Sequence, residues 1–213
     1  GRSHNLLPSN INYRANIDCL KSIGVTDIIS LSAVGSLKEN IKPGNFVIID
    51  QFIDRTFARK KTFFDEGIVA HVSLAKPVSE QLSEIILEAA PQNISISMGG
   101  TYLAMEGPQF STLAESELYR SWNCDVIGMT NMPEAKLARE AEIAYATIAM
   151  VTDYDCWHPD HDAVTVDNII EVLNNNSNNA KSLVLSIIKN ISRKTWTWSD
   201  PSYSALENAI ITP

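Results

Sequence analysis

The chain has 213 residues, 45% hydrophobic and 20% charged, enough apolar mass for one large domain with a sizeable core and too much for a disordered or fibrous chain. A formal net charge of −8 opposes polyanions, so no nucleic-acid partner is expected. Cys19, Cys124 and Cys156 form no CxxC pair and fit a reducing cytoplasm, and no apolar run approaches the roughly 20 residues of a membrane span or the anatomy of a signal peptide.

Short apolar runs of strand length alternate with segments of helical period, an α/β rhythm. Residues 12–23 set Ile17, Leu20 and Ile23 on one side of a helix. Residues 27–33 are almost continuously apolar and close on Val34-Gly35-Ser36, which predicts a strand buried on both faces that enters a tight turn. A second strand is expected over 45–53, then a basic run, Arg59-Lys60-Lys61, read as a solvated patch. A helix over 78–90, a strand over 94–98 and a helix over 111–122 capped by Ser111 follow. Strands over 125–129 and 143–151 flank a helix over 132–142 with Pro133 in its first turn. Residues 165–191 carry two apolar helical series separated by the polar run from Asn174 to Asn179, more readily an exposed or frayed stretch of one long helix than a linker. The expected organisation is one domain over 1–192 and a tail over 193–213 that packs on something else.

Three segments could carry chemistry. Leu31-Ser32-Ala33-Val34-Gly35-Ser36 puts small residues and hydroxyls at a strand mouth, where backbone N–H groups can approach an anion; it is neither a Walker loop nor GxGxxG, and a plain turn fits as well. Thr152-Asp153-Tyr154-Asp155 follows the strand ending at Val151. Carboxylates at i and i+2 face one way if that strand continues, and in an apolar pocket they would raise each other's pKa and leave one able to donate a proton near neutrality. A metal site or helix-capping aspartates remain equal alternatives. His158-Pro159-Asp160-His161-Asp162 is dense in metal-ligand types, but Pro159 breaks helical spacing and the stretch reads as a polar loop. In Glu106-Gly107-Pro108-Gln109-Phe110-Ser111-Thr112, Phe110 could be core or could stack on a planar ligand.

Taken in order, several segments resemble the 5′-methylthioadenosine phosphorylases of the purine nucleoside phosphorylase superfamily. They are residues 8–17, Ser32 to Leu37, Val47 to Thr56, Glu106-Gly107-Pro108, Phe110-Ser111, Met129-Thr130, Pro133-Glu134 and residues 152–157. The resemblance runs from Gly1 to about Ile191. It implies a single-domain, three-layer α/β phosphorylase fold with a central mixed twisted sheet flanked by helices. It further implies phosphorolysis of methylthioadenosine to adenine and 5-methylthioribose 1-phosphate in purine and methionine salvage, with no metal or organic cofactor and phosphate as co-substrate.

By the same resemblance Ser32, Ala33 and Thr130 hold phosphate, and Met129 lies against the ribose. Phe110 stacks on the base and Ser111 binds substrate, while Asp153 and Asp155 meet N6 and N7 of adenine as the catalytic pair. Val166 and Ile170 would line the methylthio slot, although on residues alone they are a helix's core face. His71 matches a histidine that reaches a neighbouring site in a homotrimer. Two aspartates favour a 6-aminopurine over a 6-oxopurine, whose C6 position asks for a donor. Against the family pattern, serine stands at 32 for threonine and glutamine at 109 for arginine. A further region of about sixty residues with an Arg-His pair is expected before Gly1. Without it phosphorolysis should be weak, because each lost charge-assisted donor is worth about 1.5–3 kcal/mol. A purine nucleoside phosphorylase for adenosine or inosine, a nucleoside hydrolase, and a catalytically impaired purine-binding paralogue are the competing readings.

Overall fold

The computed structural model describes residues 3–65, 67–159, 166–193 and 198–210, with side chains for all of these except 166–169 and 171. Its spine is two ten-residue strands, β1 (Asp27–Ser36) and β7 (Ala144–Asp153), paired in parallel from Asp27 opposite Ala144 to Val34 opposite Val151. Burial on both faces holds for β7, nine of whose ten residues are buried, but not for the run expected to share it. In β1 residues 27–30 are half-buried and Leu31 and Ala33 are exposed, because among the described residues no element covers that part of the strand's surface as fully. Around them lie β2 (Phe46–Ile48), β3 (Gln51–Asp54), β4 (Ile96–Met98), β5 (Thr101–Ala104) and β6 (Val126–Gly128), in the order β3-β5-β6-β1-β7-β2-β4. The β1–β6 and β2–β7 pairs are antiparallel, so the sheet is mixed.

That order forces curvature. β2 and β3 lie toward opposite ends of the sheet yet are joined by Ile49 and Asp50 alone, and β4 and β5 by Gly99 and Gly100 alone. Such a link spans about 10 Å at most, so the two ends of the sheet must curl toward each other. The Gln51 N–H donates to the Gly100 carbonyl at 3.3 Å, and the Gly100 N–H to Asp50 Oδ1 at 3.0 Å, tying the two links together. A Cβ on Gly100 would stand 3.2 Å from Val47 Cγ1, so a larger residue at this crossing would have to push that methyl aside by a few tenths of an ångström. The single strand expected over 45–53 is therefore two strands that serve opposite ends of one curled sheet. The strand over 101–104 has no counterpart in the sequence reading.

Helices α1 (Tyr13–Ser22), α2 (Glu80–Ala89), α3 (Leu113–Ser121), α4 (Asn131–Glu140) and α5 (Val166–Arg193) cover the sheet. One apolar cluster joins α1 and α4 through Ile17, Leu137 and Ala138 to Val34, Tyr145 and Val151; another joins α2 and α5 through Leu82, Ile85, Leu183 and Ile187 to Phe46 and Ile148. The cap of α3 is Thr112, not Ser111: its side chain accepts from the Glu115 N–H, and Glu115 reaches back in a capping box. Inside α5, Asn174, Asn175 and Asn178 are exposed, but Asn176 is buried and donates to the Val151 carbonyl at 2.9 Å, so the polar run is helical and partly anchored. The tail lies against the domain: Tyr203 donates to Asp27 at 2.7 Å, and the His71 N–H to the Ala209 carbonyl at 2.8 Å. Among the described residues no helix is long and apolar enough to cross a membrane.

Candidate active site

The mouth of the spine is shaped by a β-bulge. Val34 faces Val151, but Gly35 faces Asp153, leaving Thr152 as the extra residue on β7. The strand then stops, and Asp155 adopts φ 53°, in the left-handed region. The two carboxylates are therefore not held by a continuing strand, as the sequence led us to expect; a turn holds them. Asp153 Oδ1 accepts the Asp155 N–H at 2.8 Å and its Oδ2 accepts the Thr152 hydroxyl at 2.6 Å.

Burial pushes the Asp153 carboxyl above the usual carboxylate range, with the Asp155 charge adding to the rise and the Thr152 and Asp155 hydrogen bonds opposing it. Burial likewise raises Asp155, against the nearby Ser116 and Ser111 hydroxyls. Asp155 Oδ2 is buried without a hydrogen-bond partner among the described residues. A carboxyl in that state is suited to carry a proton and to offer it. Gly35 makes room for the pair: a Cβ there would stand 2.8 Å from Asp153 Oδ1 and 3.3 Å from the Asp155 nitrogen.

Three residues back along β1, about 10 Å at the usual strand rise, is buried Ser32. Its hydroxyl lies 3.2 Å from the phenol oxygen of Tyr102 on β5. The Thr130 backbone and hydroxyl face the same phenol from the start of α4. The fold thus gathers Ser32 and Thr130, which are 98 positions apart in sequence, while Ala33 beside them is exposed.

Met129 precedes Thr130 and rests against the turn before Phe110: a Cβ on Gly107 would fall 2.5 Å from its sulfur. Both segments hang on Arg59. That guanidinium donates to the Met129 carbonyl, to the Met132 carbonyl at 2.6 Å and to the Glu106 carbonyl at 2.7 Å, and pairs with the Glu106 carboxylate at 3.5 Å. Arg59 is only 8% exposed, which overturns its reading as part of a solvated patch. Its neighbour Lys61 pairs with Asp54 at 3.0 Å. No local signal in the sequence separates Arg59 from the two lysines that follow it.

Phe110 is half exposed, and Ser111 lies beside Asp155. Ile170 is exposed on α5; Val166 opens that helix and its side chain lies outside the described residues, as do Asp160, His161 and Asp162. His71 is exposed and lines a separate cavity of about 630 Å³ with Arg139 and Asp200, so within one chain it is not brought to the other candidate residues. Among the described residues no three His, Cys, Asp or Glu side chains are grouped to hold a metal ion.

The curled mixed sheet thus sets an acid pair at one strand mouth and a hydroxyl cluster about 10 Å back along β1. The chain belongs to the phosphorylase superfamily, whose model matches residues 3–189. It is 62% identical over 213 residues to the S-methyl-5′-thioadenosine phosphorylase of Rhodospirillum rubrum, covering 100% of this chain and 72% of that protein. It is 59% identical to that of Bradyrhizobium diazoefficiens, covering 99% and 73%. A crystal structure of a methylthioadenosine phosphorylase from an antarctic soil metagenomic library superposes with TM-score 0.93 at 48% identity, covering 100% of this chain and 75% of that one. The methylthioadenosine phosphorylase of Schistosoma mansoni in complex with adenine superposes at 0.87 with 34% identity, covering 92% and 77%.

Proposed function

We propose that the protein catalyses phosphorolysis of 5′-methylthioadenosine to adenine and 5-methylthioribose 1-phosphate, a pentosyl transfer in purine and methionine salvage. The observation that carries this reading is the Asp153–Asp155 pair, whose carboxyls burial pushes upward, set about 10 Å along β1 from the Ser32–Thr130 hydroxyls. That separation leaves room for a ribose between an anion and a base. Ser32, Thr130 and the Ala33 backbone hold phosphate below C1′, and Met129 packs against the sugar. Phe110 covers the base beside Ser111. Val166 and Ile170 line the slot for the methylthio group.

In the step itself a phosphate oxygen forms a bond to C1′ as the C1′–N9 bond breaks and its electron pair moves into the purine. The purine would leave as an anion unless protonated, so the acid pair gives a proton to N7 and accepts from the N6 amino group. The carboxylate left behind regains its proton from solvent before the next turnover. This chemistry calls on no metal or organic cofactor, and phosphate is a co-substrate. His71 reaches a neighbouring site in a cytoplasmic homotrimer, consistent with its exposure and its distance from the other site residues in one chain.

The test is product analysis with the whole protein. Methylthioribose 1-phosphate should form from methylthioadenosine only when phosphate is supplied. Base release without phosphate would make the protein a hydrolase, inosine preferred over methylthioadenosine would make it a 6-oxopurine phosphorylase, and adenine binding without turnover would make it an impaired paralogue. Sedimentation of a monomer would remove the role of His71.

A further inference from the structure

One buried group at the phosphate cluster has no part in the reaction just described, the phenol of Tyr102. Its side chain is fully buried, its ring packs on Phe52 with centroids 5.7 Å apart, and its oxygen sits 3.2 Å from Ser32 Oγ. A Cβ on Gly128 would lie 2.0 Å from that oxygen, so the phenol occupies the place where a side chain at the end of β6 would otherwise be.

The Thr130 and Asn131 backbone N–H groups also face the phenol oxygen. An N–H can only donate, so these two face the oxygen's lone pairs and turn its own hydrogen toward the Ser32 and Thr130 hydroxyls; in the arrangement that serves an anion at Ser32, the Ser32 Oγ, 3.2 Å away, accepts it. Ser32 then has no need to spend its single hydrogen on the core, and that hydrogen is free to turn toward the strand mouth. An anion needs this polarity. A serine donating into the core would present it with lone pairs instead.

We propose that Tyr102 is a positioning residue that sets the Ser32 hydroxyl as a donor toward phosphate. This rests on the phosphate role given to Ser32 and Thr130 above. The experiment measures the KM of phosphate at saturating methylthioadenosine, and the KM of methylthioadenosine at saturating phosphate. The whole protein is compared with its Ser32→Ala, Tyr102→Phe and doubly substituted forms. Tyr102→Phe keeps the ring on Phe52 and removes one oxygen, so the fold is retained.

Losing one aligned donor should raise the phosphate KM about five- to tenfold, the net worth of a hydrogen bond, and leave the methylthioadenosine KM unchanged. The double variant should be no worse than Ser32→Ala alone, because the phenol acts through that hydroxyl. A rise in both KM values together, a multiplicative double variant, or an unchanged phosphate KM in Tyr102→Phe while Ser32→Ala raises it would overturn the role of Tyr102. An unchanged phosphate KM in Ser32→Ala would overturn the phosphate assignment, and this proposal with it.

Discussion

Gly35→Ala tests the acid pair without touching either carboxylate. Gly35 has no positive φ, so an alanine there is free of backbone strain and acts through contact alone. Its Cβ would arrive 2.8 Å from Asp153 Oδ1 and 3.2 Å from Ile127 Cγ2. To restore ordinary contact the Asp153 carboxylate must retreat by roughly half an ångström. The 2.8 Å hydrogen bond it accepts from the Asp155 N–H must stretch or break.

A misplacement of about 1 Å in an active site costs on the order of 10²-fold, so half of that should lower kcat/KM for methylthioadenosine about tenfold. Weakening one charge-assisted hydrogen bond should cost about 1–2 kcal/mol, or roughly 2–8 °C in Tm for a chain of this size. The companion is Gly24→Ala, where φ is 85° and no other group lies within 4 Å of a new Cβ. It should lose about 1 kcal/mol through backbone strain while keeping kcat/KM. Steady-state phosphorolysis and calorimetry on both variants decide the matter. Wild-type kcat/KM in Gly35→Ala, or an equal loss in Gly24→Ala, would refute the argument that the Gly35 contact sets the acid pair.

Asp153→Asn should shift preference from methylthioadenosine toward inosine, because an amide can donate to a 6-oxo group; unchanged preference in competition assays would count against its contact with the base edge. Since burial holds the Asp153 carboxyl above its ordinary value, wild-type kcat/KM should fall as pH rises through that raised value, a limb that the asparagine variant should lack. Asp54 has the opposite sign: burial pushes it up, but hydrogen bonds from Lys136, Thr56 and Lys61 prevail and hold it down to about 2. Its stabilising effect should be complete above the unfolded carboxyl value of about 3.9 and disappear as pH falls toward 2; urea midpoints of Asp54→Asn and wild type should converge there. Arg59→Met should strip the Met129, Met132 and Glu106 carbonyls of a shared donor and leave the Glu106 carboxylate without its ion pair, lowering stability by about 3–5 kcal/mol in a denaturant titration. A change below about 1 kcal/mol would show that the hub is not needed for folding.

What could be read before folding followed local rules. The run that became β7 announces itself because a strand buried on both faces must be apolar at nearly every position; the run of β1 is as apolar, yet its Leu31 and Ala33 are exposed. The helices announce themselves by period, and the small residues at 32–36 and the acids at 153 and 155 by standing where apolar runs end. The site roles came instead from resemblance, since a serine after a strand is compatible with any turn.

What could not be read depends on groups distant in sequence. Nothing at 45–53 marks the point where the chain passes from one end of the curled sheet to the other, because both halves are equally apolar. Arg59 has the same formal charge as Lys60 and Lys61; the carbonyls of Met129, Met132 and Glu106 single it out, and they come together only when β5 and β6 are side by side. Asn176 sits among other asparagines until α5 docks and turns that one amide onto Val151. The sequence determined the alternation of elements, and its family resemblance supplied the chemistry. Tertiary structure alone decided the bulge at Thr152, the burial that raises the Asp153 and Asp155 carboxyls above the usual carboxylate range, and the meeting of Ser32 with Tyr102. Desolvation and hydrogen-bond direction are properties of the space around a group, and that space exists only after distant segments have packed.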